Sequence, residues 1–145
     1  RKPNPVALFA DRKHILRSRY RHLAGRDLYI ISGYRTPRKQ AIAIGSNLRR
    51  YGTRYVISLY RSKSAIKEIV QAYKSNRHSR PIGAMTRVIE SQVSRGIFIS
   101  NHMRWRAVDV RSRGWHRARL SVLRQVAQSM GARVLVEANH YHVDL

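Results

Sequence analysis

His102, Asp109, His140 and His142 stand out in the sequence by type and spacing. His140 and His142 lie two apart in the terminal stretch Glu137-Ala138-Asn139-His140-Tyr141-His142-Val143-Asp144-Leu145, just after the apolar run Val134-Leu135-Val136. That run predicts a buried strand leading into the histidines. Side chains alternate across a strand, so His140 and His142 are expected on one face and Tyr141 and Val143 on the other. Two imidazoles side by side on a rigid strand suit a metal site, or a ligand beside a general base. Upstream, His102 and Asp109 flank a short loop between two predicted strands. Two histidines and one carboxylate leave a fourth zinc position open, as catalytic rather than structural sites do. Bound zinc acidifies water and polarises a carbonyl. With a base nearby, the set is suited to hydrolysing an amide.

The rest of the chain has to position these groups. Its 145 residues suit one domain with a core of its own. A hydrophobic fraction of 43% argues for a folded chain rather than a disordered one. No run of about eighteen apolar residues occurs, so no membrane span is expected. Cysteine is absent, which excludes disulfides and thiolate metal sites and fits an exported bacterial protein. The start at Arg1 rather than Met is consistent with removal of a leader.

Thirty Lys and Arg against seven Asp and Glu give a net charge of +23. A field of that sign attracts polyanions: nucleic acid, anionic lipid or an acidic cell-wall polymer. The few acids are informative in reverse. Asp109, Glu137 and Asp144 lie in or beside the histidine motifs, and holding a metal is one task for acids in so basic a chain.

Periodicity and turn chemistry predict the elements. Residues 1–10, with Pro3 and Pro5, read as an extended lead-in. Asp11 caps a helix over 11–23 that ends at Gly25. A short strand over 28–32 runs into a turn at 33–37, which places Arg35 at a strand end. A helix follows over 38–51. Residues 53–60 alternate as a strand would, but so short a run leaves the type open. A helix starts at Ser62 or Ser64 and runs to Lys74. Residues 75–83 read as a loop and 85–94 as a helix closed by Gly96. Short strands are expected over 97–100 and 107–111. A helix over 115–130, capped by Gly131, precedes the last strand.

Ser100-Asn101-His102, with Ala107 and Asp109, resembles the S-x-H…A-x-D pattern of the lysostaphin, D-Ala-D-Ala peptidase and sonic hedgehog group of zinc proteins. Ser32-Gly33-Tyr34-Arg35-Thr36 resembles the SGYR segment of its VanY-like D-alanyl-D-alanine carboxypeptidases. His140-Tyr141-His142 resembles the H-x-H motif of the lysostaphin and hedgehog branches. The motifs keep the group's order and span most of the chain. The resemblance implies His102, Asp109 and His142 as ligands of one Zn2+ per chain, and His140 as base or transition-state stabiliser. It implies Arg35 on a substrate carboxylate or developing oxyanion; Tyr34 and Ser100, which lie in the motifs, and Trp105 are taken as candidate substrate-binding residues.

The group's carboxypeptidases use E-x-x-H instead, which Glu137 and His140 also fit, with Glu137 as base and His140 as ligand. Strand parity favours H-x-H, because residues three apart face opposite ways in an unbulged strand. Glu137 is then a second acid/base group. Two features depart from the pattern. Trp105 stands where the group usually has Gly, suited to stacking on substrate or to packing over the core. The stretch between the arginine and His102 motifs is long, and 56–96 is expected as a helical insertion or flap within a single domain over 1–145.

The resemblance implies an α+β fold, with a small antiparallel sheet bearing the zinc site and helices on its other face. It implies an exported zinc metallopeptidase, periplasmic or wall-associated, that hydrolyses D-amino-acid-containing peptide bonds of peptidoglycan in the stem peptide or cross-link. The basic surface would hold it on peptidoglycan or another anionic wall polymer. The alternatives are a non-catalytic zinc module binding such a polymer, and a nucleic-acid binder resting on charge alone. The second finds no helix-turn-helix or zinc-finger pattern here.

Overall fold

Asn4 opens the first helix of the computed structural model, which describes residues 4–145. Its side chain accepts the Val6 N–H at 2.9 Å, and Pro5 supplies a pre-set φ at the first helical position. Helix α1 (Pro5–Ala24) therefore starts well before Asp11, and the part of the expected lead-in at 5–10 is helical. Residues 1–3 of that lead-in lie outside the described residues. Gly25, at φ 71°, ends the helix as expected.

Among the described residues the fold is α+β, with six helices and a four-stranded antiparallel sheet. The strands are β1 (Ile30–Ser32), β2 (Ala107–Arg111), β3 (Arg133–Val136) and β4 (His140–Asp144), in the order β1-β2-β4-β3. The described residues form two compact units.

The first unit contains residues 4–34 and 104–145. It holds α1, the sheet and helix α6 (Arg117–Ser129). One sheet face carries Val108, Val110 and Val143, all at 0% exposure, with Val134 and Tyr141 packed beside them. Leu16 and Tyr20 of α1 and Leu123 and Val126 of α6 complete this core. Removing such side chains from water supplies most of the unit's stability, at roughly 25 cal/mol per Å² of apolar surface. The run Val134-Leu135-Val136 does form a strand, but at the sheet edge: Val136 is 56% exposed, not buried.

Trp105 belongs to this core. Its ring stacks on Tyr34 at 3.8 Å and meets Phe9 edge-on at 5.9 Å. Its φ is +57°, in the left-handed region that favours glycine. The position at which the resembling pattern carries Gly thus keeps a glycine-like backbone, and ring packing offsets a penalty of roughly 1–2 kcal/mol. Trp105→Ala should destabilise the protein by about 2 kcal/mol through lost packing. Trp105→Gly should be the more stable of the two by about 1 kcal/mol, because it removes the strain. Urea melts of both variants check this; a lower midpoint for the glycine variant would contradict the strain account.

The second unit is Arg35–Met103. It contains α2 (Pro37–Tyr51), α3 (Thr53–Leu59), α4 (Lys63–Ser75) and α5 (Pro81–Ser94). Its core is built on Ile44, Val56, Ile66, Ile69, Met85 and Ile89. The helical part is wider than the 56–96 expected. Residues 53–59 are helical despite their alternation, and Lys63 Nζ donates to the Ile57 and Tyr60 carbonyls past the helix end, each at 2.7 Å. Ser62 caps α4 through the Ala65 N–H at 3.3 Å. Pro81 starts α5 from within the expected loop. The strand expected over 97–100 does not form. The Ile97 N–H returns to the Gln92 carbonyl at 2.8 Å, and Ile99 turns into the helical core. The segment thus closes the end of α5.

Candidate metal centre

Hairpin β3–β4 builds the centre of the first unit. Leu135 pairs with His142 and Val136 with Tyr141, so the next facing pair is Glu137 and His140, joined by the Glu137 N–H to His140 carbonyl bond at 3.0 Å. Ala138 and Asn139 form the intervening two-residue turn. Cross-strand partners share a face. Glu137 and His140 therefore point the same way, although three residues apart. The parity rule used on the sequence holds along one strand and fails across this reversal.

Asp109 faces His142 across the β2–β4 pair, and Ser32 sits opposite Asp109 on β1 beyond an irregularity in register. His140 and His142 do share a face, while Tyr141 and Val143 enter the core. Four side chains converge. The His140 Nε2 lies 3.3 Å from Asp109 Oδ1 and 3.6 Å from Glu137 Oε1. The His142 Nδ1 lies 3.4 Å from Asp109 Oδ1 and 3.7 Å from Glu137 Oε2. Asp109, Glu137 and His140 offer ligand atoms within 4.8 Å of one another, a group that could hold a metal ion. Asp109 is only 2% exposed, so its carboxylate is largely removed from water.

The far nitrogen of each ring is occupied. His142 Nε2 meets Asp144 Oδ1 at 2.6 Å, and His140 Nδ1 meets Asn139 Oδ1 at 2.6 Å. Asp144 Oδ2 in turn accepts from Arg133 Nη2 at 3.2 Å.

Both imidazoles have pKa values raised from 6.5 to about 9. Burial acts against the charged rings. Hydrogen bonds and charge from Asp109 with Glu137, at His140, and from Asp109 with Asp144, at His142, outweigh it. Without a cation, both rings are therefore protonated at neutral pH and compensate three carboxylates. A divalent cation could take over that compensation. The nitrogen and carboxylate donors suit zinc, and the engaged far nitrogens leave one nitrogen of each ring directed inward.

The other expected site residues belong to the second unit or to the first unit's core. His102, 2% exposed, lies in the 3-10 turn Asn101–Arg104. Its N–H donates to Ser100 Oγ at 3.2 Å, and its carbonyl accepts the Arg35 N–H at 3.1 Å. The Arg35 guanidinium donates to Gln40 Oε1 at 3.4 Å, and the buried Gln40 donates to the Tyr60 hydroxyl at 3.2 Å. Within this unit Arg35 and His102 are thus linked through the main chain, and Ser100 serves the turn that carries His102. Tyr34 and Trp105 are engaged with each other. Sequence reasoning gave no role to Asn139, and named Asp144 only among the acids beside the histidine motifs, without placing it against His142. The signal for Asp144 was present, since it stands two residues from His142 and so on the same strand face.

Comparison with family models, curated proteins and solved structures returned no match.

Proposed function

We propose that the protein is a zinc-dependent peptidase acting on peptide bonds of peptidoglycan, in the stem peptide or cross-link, with a fold like that of the hedgehog and D-Ala-D-Ala peptidase group. The observation that carries the proposal is the convergence of Asp109, Glu137, His140 and His142 on one sheet face, with both far ring nitrogens held. Asp109 and His142 are the proposed zinc ligands here. His102 is proposed as the third from its place in the S-x-H…A-x-D pattern. Zinc so held would polarise the scissile carbonyl and acidify water.

The chain's own groups do the rest. His140, with Nε2 directed inward, removes the proton from the attacking water and returns it to the leaving amine. Glu137, 3.6 Å away, stabilises the imidazolium formed between those steps. Arg35, steadied by Gln40, binds a substrate carboxylate or the developing oxyanion. An open groove lined by Lys13, His14, Arg17, Arg21 and His22 of α1 adds a basic surface suited to an anionic wall polymer. The exported, wall-associated location belongs to the same proposal. No helix among the described residues is long and apolar enough to cross a membrane.

Metal analysis of the purified protein tests the proposal. About one zinc per chain in wild type, lost in His142→Ala, supports the H-x-H assignment. Zinc kept in that variant supports His140 as ligand and Glu137 as base. No metal in wild type after zinc is offered rejects the peptidase, as does muropeptide hydrolysis that survives full chelation.

A further inference from the structure

We propose that Asp144 is a positioning residue: it holds His142 in the tautomer protonated at Nε2, which turns the Nδ1 lone pair toward the Asp109 and Glu137 carboxylates. The inference deepens the metal-site function proposed above and rests on it for its purpose, though not for its geometry.

The argument starts from strand spacing. His142 and Asp144 are two apart on β4, so their side chains leave the sheet on the same face. The Asp144 carboxylate reaches back along the strand, and its Oδ1 lies 2.6 Å from His142 Nε2. An ionised carboxylate can only accept, so this bond requires the proton on Nε2. A neutral ring then has its lone pair on Nδ1. That atom is the one 3.4 Å from Asp109 Oδ1 and 3.7 Å from Glu137 Oε2.

Asp144 is itself oriented from the neighbouring strand. Arg133 is its cross-strand partner on β3 and donates Nη2 to Oδ2 at 3.2 Å. The two carboxylate oxygens thus serve different partners. One is fixed by the guanidinium and the other by the ring. His140 has the opposite arrangement, with Nδ1 on Asn139 and Nε2 inward. Neighbouring rings on one strand therefore present different nitrogens to one place, and each needs its own anchor. A carboxylate behind a ligating imidazole fixes the ring's orientation and makes the ligand nitrogen more basic.

Nitrogen-resolved NMR of the histidine rings, with zinc affinity by chelator competition, tests this in wild type, Asp144→Ala and Asp144→Asn. Ring spectra are taken zinc-loaded and metal-free, the latter at a pH of about 10 so that the rings are neutral. Wild type should show His142 protonated at Nε2 in both states. Asp144→Ala should show mixed tautomers and zinc binding weaker by roughly 10–100-fold. Asp144→Asn retains one carbonyl oxygen. Arg133, 71% exposed, can turn to solvent and leave that oxygen to the ring. This variant should therefore keep the Nε2–H signal and most of the affinity.

Unchanged ring signals and affinity in Asp144→Ala would overturn the proposal. If that variant does not fold, an unchanged Nε2–H signal and zinc affinity in a folded Asp144→Leu, which has no acceptor, would do the same. No zinc uptake by wild type, with an Nε2–H signal that is lost in Asp144→Ala, would support the tautomer assignment while removing the metal function.

Discussion

His140→Ala should retain zinc and lose muropeptide hydrolysis by roughly 10²–10⁴-fold, the usual contribution of a positioned general base. His140 Nε2 is directed at Asp109 and Glu137, while its Nδ1 is tied to Asn139. The ring thus has one nitrogen free of its anchor for proton transfer, and its removal leaves Asp109 and His142 in place. Glu137→Ala should cost less, about tenfold, because the carboxylate acts on the ring rather than on substrate. The E-x-x-H alternative reverses both results: His140→Ala would lose zinc, and Glu137→Ala would keep zinc and lose the larger share of activity. Zinc content and hydrolysis rate measured on the two variants separate these cases. Full activity in both would mean that neither His140 nor Glu137 is the base.

The metal-free protein should lose stability as pH rises from about 6.5 to 9. His140 and His142 have folded pKa values near 9 against 6.5 in the unfolded chain. A raised value means that the folded state binds the proton more tightly. The stability it contributes is complete below pH 6.5 and is lost as pH passes through the folded value. For one ring the rise corresponds to ~3 kcal/mol. Both rings lean on Asp109, so the pair should yield nearer one ring's worth than two. Zinc should reverse the trend. Its ligands must be deprotonated, so its affinity rises over the same window and its uptake releases protons. Thermal melts with and without a chelator at pH 6, 7.5 and 9 would show the curves diverging. A metal-free melting temperature that is level or rising across this window would refute the account.

The sheet half of the fold was legible because its cues are short-range. Alternation in 140–144 separated Tyr141 and Val143 from the histidines, and the apolar run before them was a strand. The start of α4 was legible at Ser62, whose side chain caps that helix. The failures have local causes. Residues 53–59 are too short for period to decide between helix and strand, and their type is set by packing in the helical unit. Residues 97–100 have strand composition, but their backbone is engaged by the end of α5. Within the centre, the histidine pair could be read from its spacing. The position of Glu137 could not, because it depends on where the chain reverses, and Ala138-Asn139 is a weaker turn signal than Asn-Gly.

The gathering of Asp109, Glu137 and Asp144 has a consequence for traffic of charged ligands. On a molecule of net charge +23 with only seven acidic residues, this cluster gathers three of them. Once the two rings shed their protons, an anionic ligand drawn in by the surface as a whole would meet carboxylates on its final approach. A divalent ion changes the sign of that last step. Loading with metal would thus act as an admission rule, opening the centre to carboxylate-bearing ligands that the bare protein gathers at its surface but turns away.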